Sequence, residues 1–100
     1  MADYQDFYYT VADGLRLYAR DYAGPSKDSP VVLCMHGLTR NSRDFADLAP
    51  HLAKTHRVIV AEQRGRGFSE YDPQIERYQP PVYIGDMFEL LGQLGIEHCA

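Results

Sequence analysis

Val31-Val32-Leu33-Cys34-Met35-His36-Gly37-Leu38 and Ala61-Glu62-Gln63-Arg64-Gly65-Arg66-Gly67-Phe68-Ser69 decide the fold between them. The first is a short apolar run that empties into His-Gly; the second completes Arg57-Val58-Ile59-Val60-Ala61 and empties into Arg-Gly-x-Gly-x-Ser. Apolar runs without alternation describe strands covered on both faces, as in a parallel sheet between two helical layers. Between them Phe45, Leu48, Ala49, Leu52 and Ala53 recur at helical spacing, preceded by Asn41-Ser42 as capping candidates. Val31 to Ala61 therefore reads as a strand-helix-strand crossover, for which a right-handed parallel connection is the default. Pro50 falls inside the helical pattern, where an interior proline costs about 3 kcal/mol, so a kink or a new first turn is expected there.

Upstream, Phe7, Tyr9 and Val11 alternate with Tyr8 and Thr10, and Leu15, Leu17 and Ala19 alternate with Arg16, Tyr18 and Arg20. Asp13-Gly14 lies between the two patterns, which predicts a β-hairpin closed by a tight turn with a positive φ at glycine. Gly24-Pro25-Ser26-Lys27-Asp28-Ser29-Pro30 is a polar loop of turn formers that separates this hairpin from the apolar runs. Downstream, Tyr71 to Gln79 reads as a mixed-charge loop. Pro80-Pro81 then opens a helix with Tyr83, Met87, Leu90, Leu91 and Leu94 on one face, and Gly95 is its expected stop.

The 100 residues carry a net charge of −4 and a pI near 5.4, and the ten Lys and Arg form no basic stripe. A nucleic-acid partner is not expected on that balance. No apolar stretch approaches the ~20 residues of a membrane span, and Met1-Ala2-Asp3-Tyr4-Gln5-Asp6 is acidic where a secretory leader is basic and then apolar. The expectation is a cytoplasmic protein with no membrane contact. Two cysteines without a secretory signal make no disulfide framework, and Cys34 reads as a small buried apolar residue.

From Gly14 to Ala100 the order of elements and the two strand-end motifs resemble the front half of an α/β-hydrolase. The resemblance implies an α/β fold: the N-terminal part of an α/β-hydrolase sheet, with an antiparallel hairpin followed by parallel strands and crossover helices. A complete sheet and triad in that family needs roughly twice this length or more. Residues 1–100 are thus expected to be a truncated N-terminal part of a single domain, with the missing C-terminal half of that domain as a partner. The family's nucleophile sits on a sharp turn after the fifth strand. Ile96-Glu97-His98-Cys99-Ala100 resembles the entry to that strand, so the nucleophile would lie beyond Ala100. The family strand order leaves Val31–Met35 as an unpaired apolar edge, which implies poor stability for these residues alone. It also sets Cys34 and Cys99 on neighbouring strands, where a bridge is conceivable.

Acyl transfer needs donors aimed at the oxygen that becomes negative. The resemblance assigns one such donor to the backbone N–H of Leu38, with His36 and Gly37 supporting the loop, and Arg40 and Phe45 lining the substrate entrance. His36 titrates near neutrality, but the family's catalytic histidine follows the last strand, so His36 is expected to brace the loop. Cys34 and His36 share a side of one strand ~7 Å apart, with no third ligand in step, and no metal or other cofactor is expected. Arg64, Gly65, Gly67 and Ser69 invite a phosphate-loop reading. Against it, Glu70 occupies the third glycine position and no helix follows at once. The family segment reads Asp-x-Arg-Gly-x-Gly-x-Ser and turns the chain out of its strand; here Glu62 stands for Asp. Asp44, Asp47, Asp86 and Glu89 read for the most part as solvated faces or caps, though Asp86 matches an acidic position of the family.

The implied activity is hydrolysis of a small-molecule acyl substrate, an ester or lactone, through a Ser-His-Asp triad. Two alternatives stand. One is an Asp nucleophile, as in epoxide hydrolases and haloalkane dehalogenases, which usually carry a proline shortly after His-Gly where this chain has Leu38-Thr39-Arg40-Asn41. The other is a non-catalytic relative that uses the fold for binding.

Overall fold

The computed structural model describes residues 4–35, 45 and 47–100. Strands β1 (Tyr4–Thr10) and β2 (Arg16–Tyr22) form the expected antiparallel hairpin, with Tyr4 opposite Tyr22 and Thr10 opposite Arg16. Its connection differs from a two-residue turn. Val11 N–H donates to Leu15 O at 3.0 Å and Gly14 N–H to Val11 O at 2.9 Å, so Ala12 and Asp13 are the central residues and Gly14 follows them. Every non-glycine φ among the described residues is negative, whereas Gly14 has φ +92°. That is the three-residue loop in which glycine takes the left-handed bulge position. Asp13 Oδ1 accepts the Leu15 N–H, which fixes the turn.

Strand β3 (Val31–Met35) and strand β4 (Arg57–Glu62) pair in parallel, Val31 beside Arg57 and Met35 beside Ala61. β4 also pairs antiparallel with β2, giving the order β1-β2-β4-β3. The two apolar runs do not end equally buried. Val58, Ile59, Val60 and Ala61 are fully inaccessible, because β4 lies between two strands and two helical layers. β3 has Cys34 buried, Met35 exposed and the rest half-buried, as an outer strand must. Its outer edge is nevertheless engaged at one point: Ala100 N–H donates to Val31 O and Leu33 N–H to Ala100 O, both at 2.9 Å. That pair of bonds is the parallel bridge pattern, so the edge expected to stand unpaired begins to receive the last residue.

The crossover helix α1 (Leu48–Leu52) is shorter than the periodicity from Phe45 suggests. Pro50 cannot donate into a preceding turn, and the helix starts just before it, so the proline sits in a first turn where its missing N–H costs nothing. The residue at the cap is Asp47, without a side-chain cap bond; Asn41 and Ser42 lie outside the described residues. Helix α2 (Pro80–Gln93) carries proline at its first positions and buries Tyr83, Asp86, Met87 and Leu90. Its end is a Schellman pair, Ile96 N–H to Leu91 O at 2.9 Å and Gly95 N–H to Gly92 O at 3.1 Å. Leu91 and Leu94 are half-buried.

Strand parity divides the core. Leu17, Ala19, Ile59 and Ala61 face α2 with Tyr9, Val11, Met87 and Leu90, while Tyr22, Cys34, Val58 and Val60 face α1 through Ala49. Losing a fully buried aliphatic such as Ile59 to alanine typically costs about 2–5 kcal/mol. Cys34 packs in the second cluster, Cys99 is exposed, and neither is in a disulfide. No helix among the described residues is long and apolar enough to cross a membrane.

Candidate active site

β3 and β4 run in the same direction, so both strands end on one side of the sheet, β3 at Met35 and β4 at Glu62, where the Arg-Gly-x-Gly-x-Ser segment begins. His36, Gly37, Leu38 and Arg40 lie outside the described residues. Phe45 is half-buried and packs on the α1-side cluster with Leu52 and Ala53. His51 and His98 are exposed and His56 is half-buried in the loop before β4.

The segment after β4 is built in detail. Glu62 is 2 % exposed at the strand end, and its Oε1 accepts the Phe68 N–H at 2.7 Å. Gly67 passes so close to that carboxylate that a Cβ would be driven into it, and its φ of +54° lies in the region side chains avoid. Ser69 closes the loop onto its own strand: its Oγ donates to Glu62 O at 2.8 Å and accepts the Tyr18 N–H at 2.9 Å. Glu70 finishes the join to β2, accepting the Arg16 N–H on Oε1 at 2.8 Å and donating its own N–H to Arg16 O at 3.0 Å. Gly65 lies under the ring of Tyr78.

These bonds bear on the phosphate-loop reading. A phosphate cradle presents unspent backbone N–H groups. Here Gly65, Arg66 and Ser69 donate to Glu70 O, Gln63 O and Arg66 O, and Phe68 donates to Glu62. These four donors are spent within the segment and its own strand end.

Arg64 ties the turn to the rest of the chain. Its side chain is 1 % exposed. Nε and Nη2 form a fork onto Asp86 of α2, with Nε to Oδ2 at 2.8 Å, and Nη1 donates at 2.7 Å to both Asp13 of the hairpin turn and Asp72 of the following loop. Arg77, at the end of the 3-10 turn Ile75–Arg77, adds a second cation 3.5 Å from Asp72 and 3.6 Å from Asp13. Asp86 is thus no solvated helix carboxylate; it is 4 % exposed and holds a buried guanidinium. Burial raises the Asp86 pKa, aided by the charges of Asp13 and Asp72 and opposed by Arg64. Burial also acts upward on Asp13 and Asp72, but hydrogen bonds from Arg64 and from the Leu15 and Gln74 N–H groups outweigh it, so both lie below the ordinary value. The Tyr9 hydroxyl is buried without a hydrogen-bond partner among the described residues, and desolvation, then Asp86, raises its pKa strongly. Three carboxylates converge here on a guanidinium, and among the described residues no His, Cys, Asp and Glu group has the form of a metal site.

Sequence reasoning placed Arg64 in a structural segment but did not supply its partners. Asp13, Asp72 and Asp86 come from three elements, and no local spacing links them. The available signal was indirect: an arginine two residues past the end of a strand with the apolar run Val58 to Ala61 lies near the core, and a buried arginine needs charge partners.

Residues 30–98 match the model of the alpha/beta hydrolase fold. The chain is 37 % identical over 84 residues to a 3-hydroxybutyrate-oligomer hydrolase of Cupriavidus necator, covering 84 % of this chain and 29 % of that protein. The crystal structure of an alpha/beta hydrolase from Novosphingobium aromaticivorans superposes with a TM-score of 0.88 at 49 % identity, over 99 % of this chain and 34 % of that one. Epoxide hydrolase A of Mycobacterium thermoresistibile superposes at 0.84 with 26 % identity, over 98 % of this chain and 30 % of that one. The chain spans less than a third of the length of the curated relatives it matches. The two strand-end motifs, the β1-β2-β4-β3 order and these likenesses agree: the chain belongs to the α/β-hydrolase fold family.

Proposed function

We propose that residues 1–100 are the N-terminal part of one α/β-hydrolase domain whose whole hydrolyses a carboxylic ester or lactone through a Ser-His-Asp triad beyond residue 100. In this reading the backbone N–H of Leu38 supplies one oxyanion donor, His36 and Gly37 support the loop, and Arg40 and Phe45 border the entrance for a small acyl substrate. The observation that carries it is the parallel β3–β4 pair, in which β3 ends at Met35 beside the end of β4, and β4 is followed by a turn held by Glu62, Ser69 and Arg64. A donor adds most to transition-state stabilisation when its support does not have to reorganise. The 3-hydroxybutyrate-oligomer relative favours an ester substrate, since hydroxy acids condense through ester bonds.

A second reading keeps the fold and places an Asp nucleophile on the later turn, giving epoxide hydrolysis. Relatives 25–29 % identical to this chain are epoxide hydrolases. A fluorophosphonate probe separates the two readings on the intact protein. Labelling that abolishes turnover of a p-nitrophenyl ester is the outcome expected of a serine nucleophile. Epoxide turnover without labelling replaces it with the aspartate, and neither activity assigns the fold to binding. Residues 1–100 alone are expected to hydrolyse no ester; turnover proportional to the purified chain would overturn that.

A further inference from the structure

α2 covers its face of the sheet unevenly. Met87 and Leu90 pack in one cluster with Ile59 and Ala61 of β4, whereas Val31 and Leu33 of β3 meet that cluster from the same face and stay half-buried. Contacts to the hairpin fix which flank of the helix looks toward which strand. Gln93 Nε2 donates to Thr10 O at 2.9 Å, and Val82, Asp86 and Glu89 share a cleft with Val11 and Ala12. Those four helix positions follow i, i+4, i+7 and i+11 spacing and make the stripe on the β1 side. Ile84 comes two residues after Val82, about 200° further round at 3.6 residues per turn, so Ile84, Phe88 and Leu91 make the opposite stripe, on the β3 side. Ile84 and Phe88 are 53 % and 71 % exposed, and Leu91 is half-buried. This flank and the half-buried β3 residues form an open apolar corner.

We propose that the corner receives one amphipathic helix, the crossover helix that follows a strand continuing from Ala100. This placement rests on the reading of residues 1–100 as the N-terminal part of one domain. The handedness of the two crossovers already present selects the occupant. From β3 to β4 the chain steps toward β1, and α1 packs on one face. From β4 to the outer edge of β3, where Ala100 bridges Val31 and Leu33, it steps the other way, and α2 packs on the opposite face. Opposite steps on opposite faces are what a single right hand requires. A strand at Ala100 takes the outer side of β3, so the next parallel strand lies beyond it. The chain then steps in the same direction again, and the right hand puts the connecting helix on the face of α2, beside its β3-side flank. Neighbouring helices pack about 8–10 Å apart, within reach of isoleucine and phenylalanine side chains. The side of that helix turned to Phe88 and Ile84 is therefore apolar at helical spacing.

Hydroxyl-radical footprinting of the intact protein tests the cover without any substitution. Phe88 should be oxidised at the slow rate of buried Tyr83. Thiol labelling in a Cys99→Ser background adds a control on the same helix: Ile84→Cys should react slowly, and Gly92→Cys, at an exposed position with open space around it, should react fast. Both patterns should be independent of protein concentration. Hydrogen exchange of the β3 amides separates the two ways of failing. Fast reaction at Phe88 and Ile84 with slow β3 amides overturns the helix placement and leaves the longer domain standing. Fast reaction there with fast β3 amides means that no strand follows along β3, which overturns the domain reading and the placement together. Protection that disappears on dilution gives the corner to a second copy and overturns the proposal as well.

Discussion

A methyl group at position 67 is the sharpest probe of the turn after β4. Gly67→Ala must accept a positive φ, which costs about 1–3 kcal/mol for a side-chain-bearing residue, and must also displace the Glu62 carboxylate from the Phe68 N–H. Urea denaturation should show a loss above the backbone cost alone. Shortening Glu62 to alanine in the same chain should recover part of it, since the two changes share one contact; strict additivity would show that carboxylate and methyl do not meet. The aspartates around Arg64 make a second prediction, in pH. Asp13 and Asp72 have lowered folded pKa values, so the stability they contribute is complete above the ordinary 3.8 and is lost as pH falls through the folded values. Asp86 has a raised folded pKa, so its contribution is complete below 3.8 and is lost as pH rises through its folded value. Stability should therefore rise on mild acidification toward pH 3.8 and fall beyond it. Asp86→Asn should flatten the first arm and keep the second. An unchanged profile above pH 3.8 in that variant would refute the assignment of the raised group.

Elements were legible where local chemistry decides them and illegible where distant residues do. The hairpin follows from alternation around Asp13-Gly14, yet its loop is one residue longer than the dipeptide alone suggests, because Val11 and Leu15 still pair. α1 shows periodicity competing with one residue: the apolar spacing from Phe45 is helical, and Pro50 sets where hydrogen-bonded helix can begin. In α2 the apolar stripe predicted the buried face, but Asp86 sits on that face for Arg64, which no helical pattern reveals. The expected donor at Leu38 and its neighbours His36, Gly37 and Arg40 rest on the resemblance, since those residues are outside the described set. α2 also carries Gly85 and Gly92 on exposed positions with open space where a Cβ would go. Gly85→Ala should stabilise the chain by about 0.5–1 kcal/mol through the helix propensity term. A thermal melt reads it directly; destabilisation instead would mean that another part of the protein packs on that position.

For the molecule as a whole, burial is centred on one strand. β4 is flanked by β2 and β3, lies under both helices, and has four consecutive residues at zero accessibility. β3 is half-buried, with Val31 and Leu33 meeting Ala100 at its outer edge, and β1 has four residues with outward backbone groups. On the same side as the α2 cluster, Ile84 and Phe88 remain 53 % and 71 % exposed. Local opening free energies follow such differences in burial and pairing. Native-state hydrogen exchange should therefore protect the β4 amides and the β2 amides facing them to the global limit, with the β3 amides exchanging faster through local opening. In residues 1–100 alone that contrast should be widest, because β3 has one bridged residue along its outer side. A strand continuing from Ala100 along β3, as the proposed longer domain requires, would raise β3 protection toward that of β4. Equal protection of β3 and β4 in residues 1–100 would contradict the burial gradient.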